Sequence, residues 1–139
     1  MKKTILLLIA ISIYSGVFAQ TETKMKDNSN KLAVLWTSGD VEVAEKMCFM
    51  YTYYAKKQGW FDEVVLIVWG PSAKLLSENK NLQDYVKKMK EAGVVIEACV
   101  ACAKMYGVGE ELAEMGIDVK GMGTPLTKYL KEGWSTLSL

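Results

Sequence analysis

The chain predicts a single-domain α/β fold, a mostly parallel five-stranded sheet with helices on both faces. Two observations carry this. Short continuous apolar runs (Leu32–Trp36, Val64–Trp69, Val94–Ala98) alternate with segments whose apolar residues recur every three or four positions, and each change is marked by Gly, Pro or a capping residue. The order βαβαβαβαβ over residues 31–139 then calls for parallel strands joined by helical crossovers.

Leu32–Trp36 reads as a buried strand, and Thr37-Ser38-Gly39-Asp40 turns it into a helix with Asp40 as N-cap. Val41, Ala44, Cys48, Tyr51 and Ala55 fall on one face of that helix, which Gly59 stops. Val64–Trp69 is the longest apolar run after residue 30 and suits a central strand covered on both faces. Gly70-Pro71-Ser72 starts a short helical stretch through Leu75 and Leu76. A second helix follows with Asn81 as its expected cap, Leu82, Tyr85, Val86 and Met89 on its inner face, and Gly93 at its end. Val94–Ala98 is the third strand. A helical pattern (Ala101, Ala103, Met105) follows, Gly107 and Gly109 break it, and Glu110–Met115 forms another short helix. Ile117–Val119 is a fourth strand; Gly121-Met122-Gly123 then leads to a helix with Thr124 as cap and Pro125 at its first position. Trp134–Leu139 completes the sheet.

Ahead of this domain stands a processing signature. Lys2 and Lys3 precede an apolar run from Ile5 to Ile13, and Val17-Phe18-Ala19 offers the small residues a signal peptidase reads, so residues 1–19 are expected to be cleaved after Ala19. The run is short for a membrane span, and no cysteine follows to take a lipid. The expectation is a periplasmic or secreted protein with no membrane attachment after cleavage; retention as an anchor is the alternative. Residues 20–30 are polar and aperiodic, a flexible segment before the domain at 31–139.

Composition excludes several functions. All 17 basic residues are lysines, and with Lys2 and Lys3 removed they no longer outnumber the 16 acidic ones. Such balance, without one Arg, argues against a nucleic-acid partner. The absence of His excludes Ser-His-Asp triads and imidazole metal sites. No cofactor is expected.

In a parallel sheet the loops leaving the C-terminal strand ends share one edge, where ligand sites form. That edge collects Trp36 to Asp40, Trp69 to Ser72, Cys99 to Cys102 and Gly121 to Thr124. Ser38, Asp40, Trp69, Ser72, Gly123 and Thr124 are therefore candidate binding residues around the cysteines, although Asp40 is most simply a helix cap and a tryptophan ending a buried strand, as Trp69 does, more often finishes a core than lines a pocket.

Cys99-Val100-Ala101-Cys102 carries the chemistry. A thiol at a strand-to-helix junction faces unpaired backbone N–H groups and the positive end of the helix dipole, which favour the reactive thiolate. Residues three apart on a helix are also close enough for a disulfide. Three readings stay open: a reactive Cys99 with Cys102 as resolving partner, an inert or structural pair, and a metal site. The last needs more ligands than two thiols, from carboxylates such as Glu97 or from another copy. Cys48, on the apolar helix face, reads as core.

The stretch Glu97-Ala98-Cys99-Val100-Ala101-Cys102-Ala103, continuing through Tyr106-Gly107-Val108 and Met115-Gly116-Ile117, resembles the DsrE/DsrF-like family of small sulfur-relay proteins (TusD/YchN-like). Leu35-Trp36-Thr37-Ser38-Gly39-Asp40, Trp69-Gly70-Pro71-Ser72-Ala73 and Gly121-Met122-Gly123-Thr124-Pro125-Leu126 look like a subgroup of it. The resemblance implies a DsrE-like fold, a persulfide carried on Cys99, a homo-oligomer (trimer or hexamer) and a sulfur donor or acceptor protein as partner. Two features depart from the relay pattern: the export signal, and Cys102, where TusD-like members have a small residue. The expected function is sulfur-carrier or thiol-disulfide exchange chemistry at Cys99 and Cys102. The alternative is a non-enzymatic oligomeric small-ligand-binding module with incidental cysteines.

Overall fold

The computed structural model describes residues 30–139; the expected signal peptide and nearly all of the polar segment after it lie outside the described residues. Five strands alternate with helices: β1 (Lys31–Trp36), β2 (Glu63–Val68), β3 (Val95–Cys99), β4 (Asp118–Lys120) and β5 (Ser135–Ser138). They form one parallel sheet in the order β4-β3-β2-β1-β5. β2 is flanked on both sides, and all its residues except Glu63 are buried, as its unbroken Val-Val-Leu-Ile-Val run requires. No helix among the described residues is long and apolar enough to cross a membrane.

The two faces of the sheet are covered unequally. On one, α2 (Met50–Lys57), α3 (Pro71–Glu78), α4 (Lys80–Glu91), α5 (Val100–Tyr106) and α6 (Gly109–Glu114) send apolar residues to join Val34, Leu66 and Val68 in the main core, while the short α1 (Val41–Val43) buries none. Leu66 and Leu76 are fully buried there, and truncating either to Ala removes about 2–5 kcal/mol. The other face carries α7 (Gly123–Lys131), whose Leu126 and Tyr129 pack with Ala33, Val65 and Ile67. Strand alternation divides the residues: Ile96 and Ala98 face the main core, whereas Cys99 belongs to the smaller cluster.

Asp40 caps α1 as expected, its Oδ1 accepting from the amides of Glu42 (2.7 Å) and Val43 (3.1 Å). Beyond it the helix departs from expectation, because Ala44–Phe49 is wound as a π-helix between α1 and α2. The wider winding turns the buried face: Val41 is exposed, Tyr51 half-buried, and Phe49, Thr52 and Tyr53 enter the interior with Ala44, Cys48 and Ala55. Phe49 meets Trp36 edge-on at 4.8 Å between ring centroids, and Thr52 donates to the Cys48 carbonyl at 2.6 Å.

Three expected boundaries are corrected. Asn79, not Asn81, caps α4: its extended backbone lets Oδ1 accept from Leu82 N at 3.1 Å, which puts Asn81 inside the first turn. Thr124 is not a cap but the second residue of α7, and Pro125 is the third, a place where the missing N–H leaves no helical bond unmade. β3 runs one residue further than the apolar pattern suggests, so Cys99 is itself the last strand residue.

Candidate functional site

Cys99 ends β3 in an extended conformation and is the N-cap residue of α5; Cys102 lies one turn into that helix. Gly107, with φ 68°, closes α5 in the left-handed conformation that glycine adopts without strain. Both cysteines are free thiols and each is only 5% exposed. They sit with Ala33, Val65, Ile67 and Met122 in the smaller apolar cluster, edged by Leu35, Trp69 and Leu126.

The two thiols are placed differently, Cys99 at the end of β3 and Cys102 inside α5. Burial raises the pKa of Cys102, its hydrogen bond with Cys99 raises it further, and the amides of Gly70 and of Cys102 itself oppose the shift. Burial and the neighbouring sulfur thus both favour the neutral form of the Cys102 thiol. Gly70 gives that amide from the loop after β2, at φ 74° and ψ −139°, where only glycine is unstrained. The loops after two adjacent strands therefore meet at the thiol pair, as a parallel sheet dictates.

The other expected site residues separate into two groups. Trp69 is half-buried against the cysteine cluster, whereas Trp36 is fully buried in the main core; alternation of faces parts two tryptophans that look alike in sequence. Gly123 and Thr124 form the exposed first turn of α7, directly after buried Met122. Ser38 and Asp40 turn the chain at the end of β1: the Ser38 hydroxyl accepts from Asp40 N at 3.1 Å, and Asp40 caps α1. No hydrogen bond or ion pair joins them to the cysteines among the described residues. Ser72 does not offer a donor to the rim. It is fully buried, its hydroxyl donates to the Trp36 carbonyl (2.7 Å) and accepts from Trp69 N (3.0 Å), so it clamps the ends of β1 and β2.

A buried carboxylate stands on the same strand face as Cys99. Glu97, two residues before Cys99 on the same face of β3, has a side chain 5% exposed. Its Oε1 takes the Lys120 ammonium at 2.6 Å, and Tyr129 of α7 donates to the carboxylate at 3.1 Å. Lys120 is the Cα partner of Cys99 across β3 and β4, and it also reaches Asp118 at 2.5 Å. Hydrogen bonds to Asp118 and Glu97 raise the Lys120 pKa, and burial followed by the Glu97 charge pushes Tyr129 up to about 12. The carboxylate that might have served a metal is thus committed to a structural network that fastens α7 to the sheet. A charged residue interrupting an apolar strand, in step with a cysteine, was the available signal. The strand register that brings Lys120 to it was not.

The family model of the DsrE/DsrF-like family matches residues 21–139. Among solved structures, a conserved protein of unknown function from Bacteroides thetaiotaomicron is similar, with 37% sequence identity and a TM-score of 0.76 over 79% of this chain and 95% of that one. No curated protein matches.

Proposed function

The chain belongs to the DsrE/DsrF-like family, and on that premise we propose that it is an exported sulfur carrier that takes up sulfane sulfur on Cys99, with Cys102 as resolving thiol. The observation that carries the proposal is the placement of the pair: Cys99 ends β3 at the C-terminal edge of the sheet, where ligand sites form, and Cys102 lies beside it in the first turn of α5. In the first step the Cys99 thiolate attacks the outer sulfur of a hydropersulfide. A bond forms between the two sulfurs, the donor's S–S bond breaks, and the donor leaves as a thiolate, so Cys99 holds the persulfide and no outside oxidant is consumed.

Two fates balance from there. A second thiolate can attack the outer sulfur and regenerate Cys99. Alternatively Cys102 attacks the inner sulfur, hydrosulfide leaves with the Cys102 proton, and an internal disulfide is left. The apolar surroundings of the pair exclude water from the persulfide, while the Cys102 thiol and nearby backbone amides are the polar partners for its charge. The family's resemblance-based trimer or hexamer, and an export signal removed after Ala19, belong to the same proposal.

Intact-protein mass spectrometry after incubation with a hydropersulfide donor tests it. The wild-type chain should gain one reducible sulfur atom, Cys99→Ser should gain none, and Cys102→Ser should gain it and release no hydrosulfide. An increment that survives Cys99→Ser overturns the assignment.

A further inference from the structure

Met122 occupies an unusual place. It is the residue before α7, where Ser, Thr, Asp or Asn would cap the helix, yet it makes no side-chain cap and is 1% exposed. Its side chain packs in the cluster that holds Cys99 and Cys102. Since Lys120, two residues earlier, is the register partner of Cys99, Met122 lies just beyond the strand ends from which the thiols emerge.

The glycines on either side have no steric reason to be glycine. Both Gly121 and Gly123 are exposed, neither has a left-handed φ, and a Cβ at either would meet nothing within 4 Å. Gly123 is moreover the first residue of α7, where glycine weakens a helix relative to alanine. The property left to explain them is conformational freedom, which hinges require. The rest of α7 is not free to follow: Tyr129 is bonded to Glu97, and Leu126 and Trp134 pack on the sheet. The turn before it has one buried side chain at its centre, and its ties to α7 are local ones, from Leu126 N to the Met122 carbonyl (3.0 Å) and from the Thr127 hydroxyl to the Gly123 carbonyl (2.8 Å).

We propose that Met122, swinging between Gly121 and Gly123, is the gate over the Cys99–Cys102 pair and sets which sulfur donors reach Cys99. Closed, it keeps both thiols 5% exposed, admitting small hydropersulfides and polysulfides in preference to a persulfide borne on a bulky carrier. Open, it uncovers the end of β3. The gate rests on Cys99 as the reacting thiol for its meaning, but it is tested without any sulfur transfer.

The test is the alkylation rate of Cys99, resolved by peptide mass spectrometry, with iodoacetamide as the small reagent and a polyethylene-glycol maleimide as the bulky one. In the wild-type chain the bulky reagent, compared with its own rate on a free cysteine peptide, should be slowed at least tenfold more than iodoacetamide. Met122→Ala should close that gap, raising the bulky rate about tenfold. Gly121→Ala/Gly123→Ala, which stiffens the turn in a geometry alanine accepts, should slow both reagents severalfold while the thermal midpoint holds or rises. An equal slowing of both reagents in the wild-type chain, or rates that Gly121→Ala/Gly123→Ala leaves unchanged, overturns the gate even should Met122→Ala fail to fold. Gated alkylation without persulfide formation would instead refute the sulfur-carrier reading alone.

Discussion

Removing Lys120 should destabilise the protein more than removing the carboxylate it serves. The Glu97 side chain is 5% exposed, whereas Lys120 is 35% exposed and has Asp118 as a second partner. Lys120→Met leaves a buried carboxylate with one neutral donor, the Tyr129 hydroxyl, and the cost of an uncompensated buried charge is about 3–5 kcal/mol. Glu97→Gln leaves an amide that still accepts from Tyr129 and a lysine that still meets Asp118 and solvent, so the loss is about 1–2 kcal/mol. Asp118→Asn, at a side chain 60% exposed, should cost under about 1 kcal/mol. Urea unfolding at pH 7, with equal slopes across variants, gives these differences directly. Lys120→Met/Glu97→Gln should recover much of the Lys120→Met loss, because no unpaired charge is left. A Glu97→Gln loss equal to or larger than that of Lys120→Met would refute the reasoning, for the network would then act through the carboxylate's own bonds and not through the need to neutralise it.

Two further outcomes follow from the burial pattern. Ser72→Ala should cost about 0.5–1.5 kcal/mol in the same assay, because it removes one partner each from the Trp36 carbonyl and the Trp69 amide, which stay bonded to each other at 3.0 Å, and loosens the loop whose Gly70 amide reaches Cys102. Alkali should destabilise the protein in a defined window. Burial pushes the Cys48 thiol from 9.0 to about 12 and raises Tyr129 from 10.0 to about 12, so both stay neutral in the fold while the unfolded chain ionises first. Their contribution is full below pH 9 and is lost as the pH rises through 12; Cys48→Ala should flatten the earlier part of the decline and Tyr129→Phe the later.

Much of this architecture is legible in the chain, and the exceptions have physical causes. Runs such as Val64–Val68 announce buried strands because a strand covered on both faces needs no polar alternation, and Asp40 announces a helix because its carboxylate fits the first free amides. The π-helix at Ala44–Phe49 is illegible from three- and four-residue spacing, since its wider winding places Phe49 inside against Trp36, a contact between distant parts of the chain. Asn79 and Asn81 are equally good caps by residue type, and the chain reversal after Glu78 decides between them. At the site, the strand-to-helix junction pointed to Cys99 and Cys102, but the serine that topology brought to the same edge proved to be a clamp. Lys120 carries no local signal because its importance comes from the β3–β4 register, a long-range pairing that no local pattern encodes, and Met122, although inside the edge segment 121–124, is set apart from its neighbours only by its burial.

The central claim is that Cys99, and not Cys102, holds the transferred sulfur. Its most direct test is site-resolved fragmentation of the wild-type peptide carrying both thiols after exposure to less than one equivalent of hydropersulfide, with free thiols blocked at once. A carrier thiol at Cys99 puts the added sulfur on Cys99 and the blocking group on Cys102; the reverse pattern, or sulfur spread equally over the two, rules that carrier out.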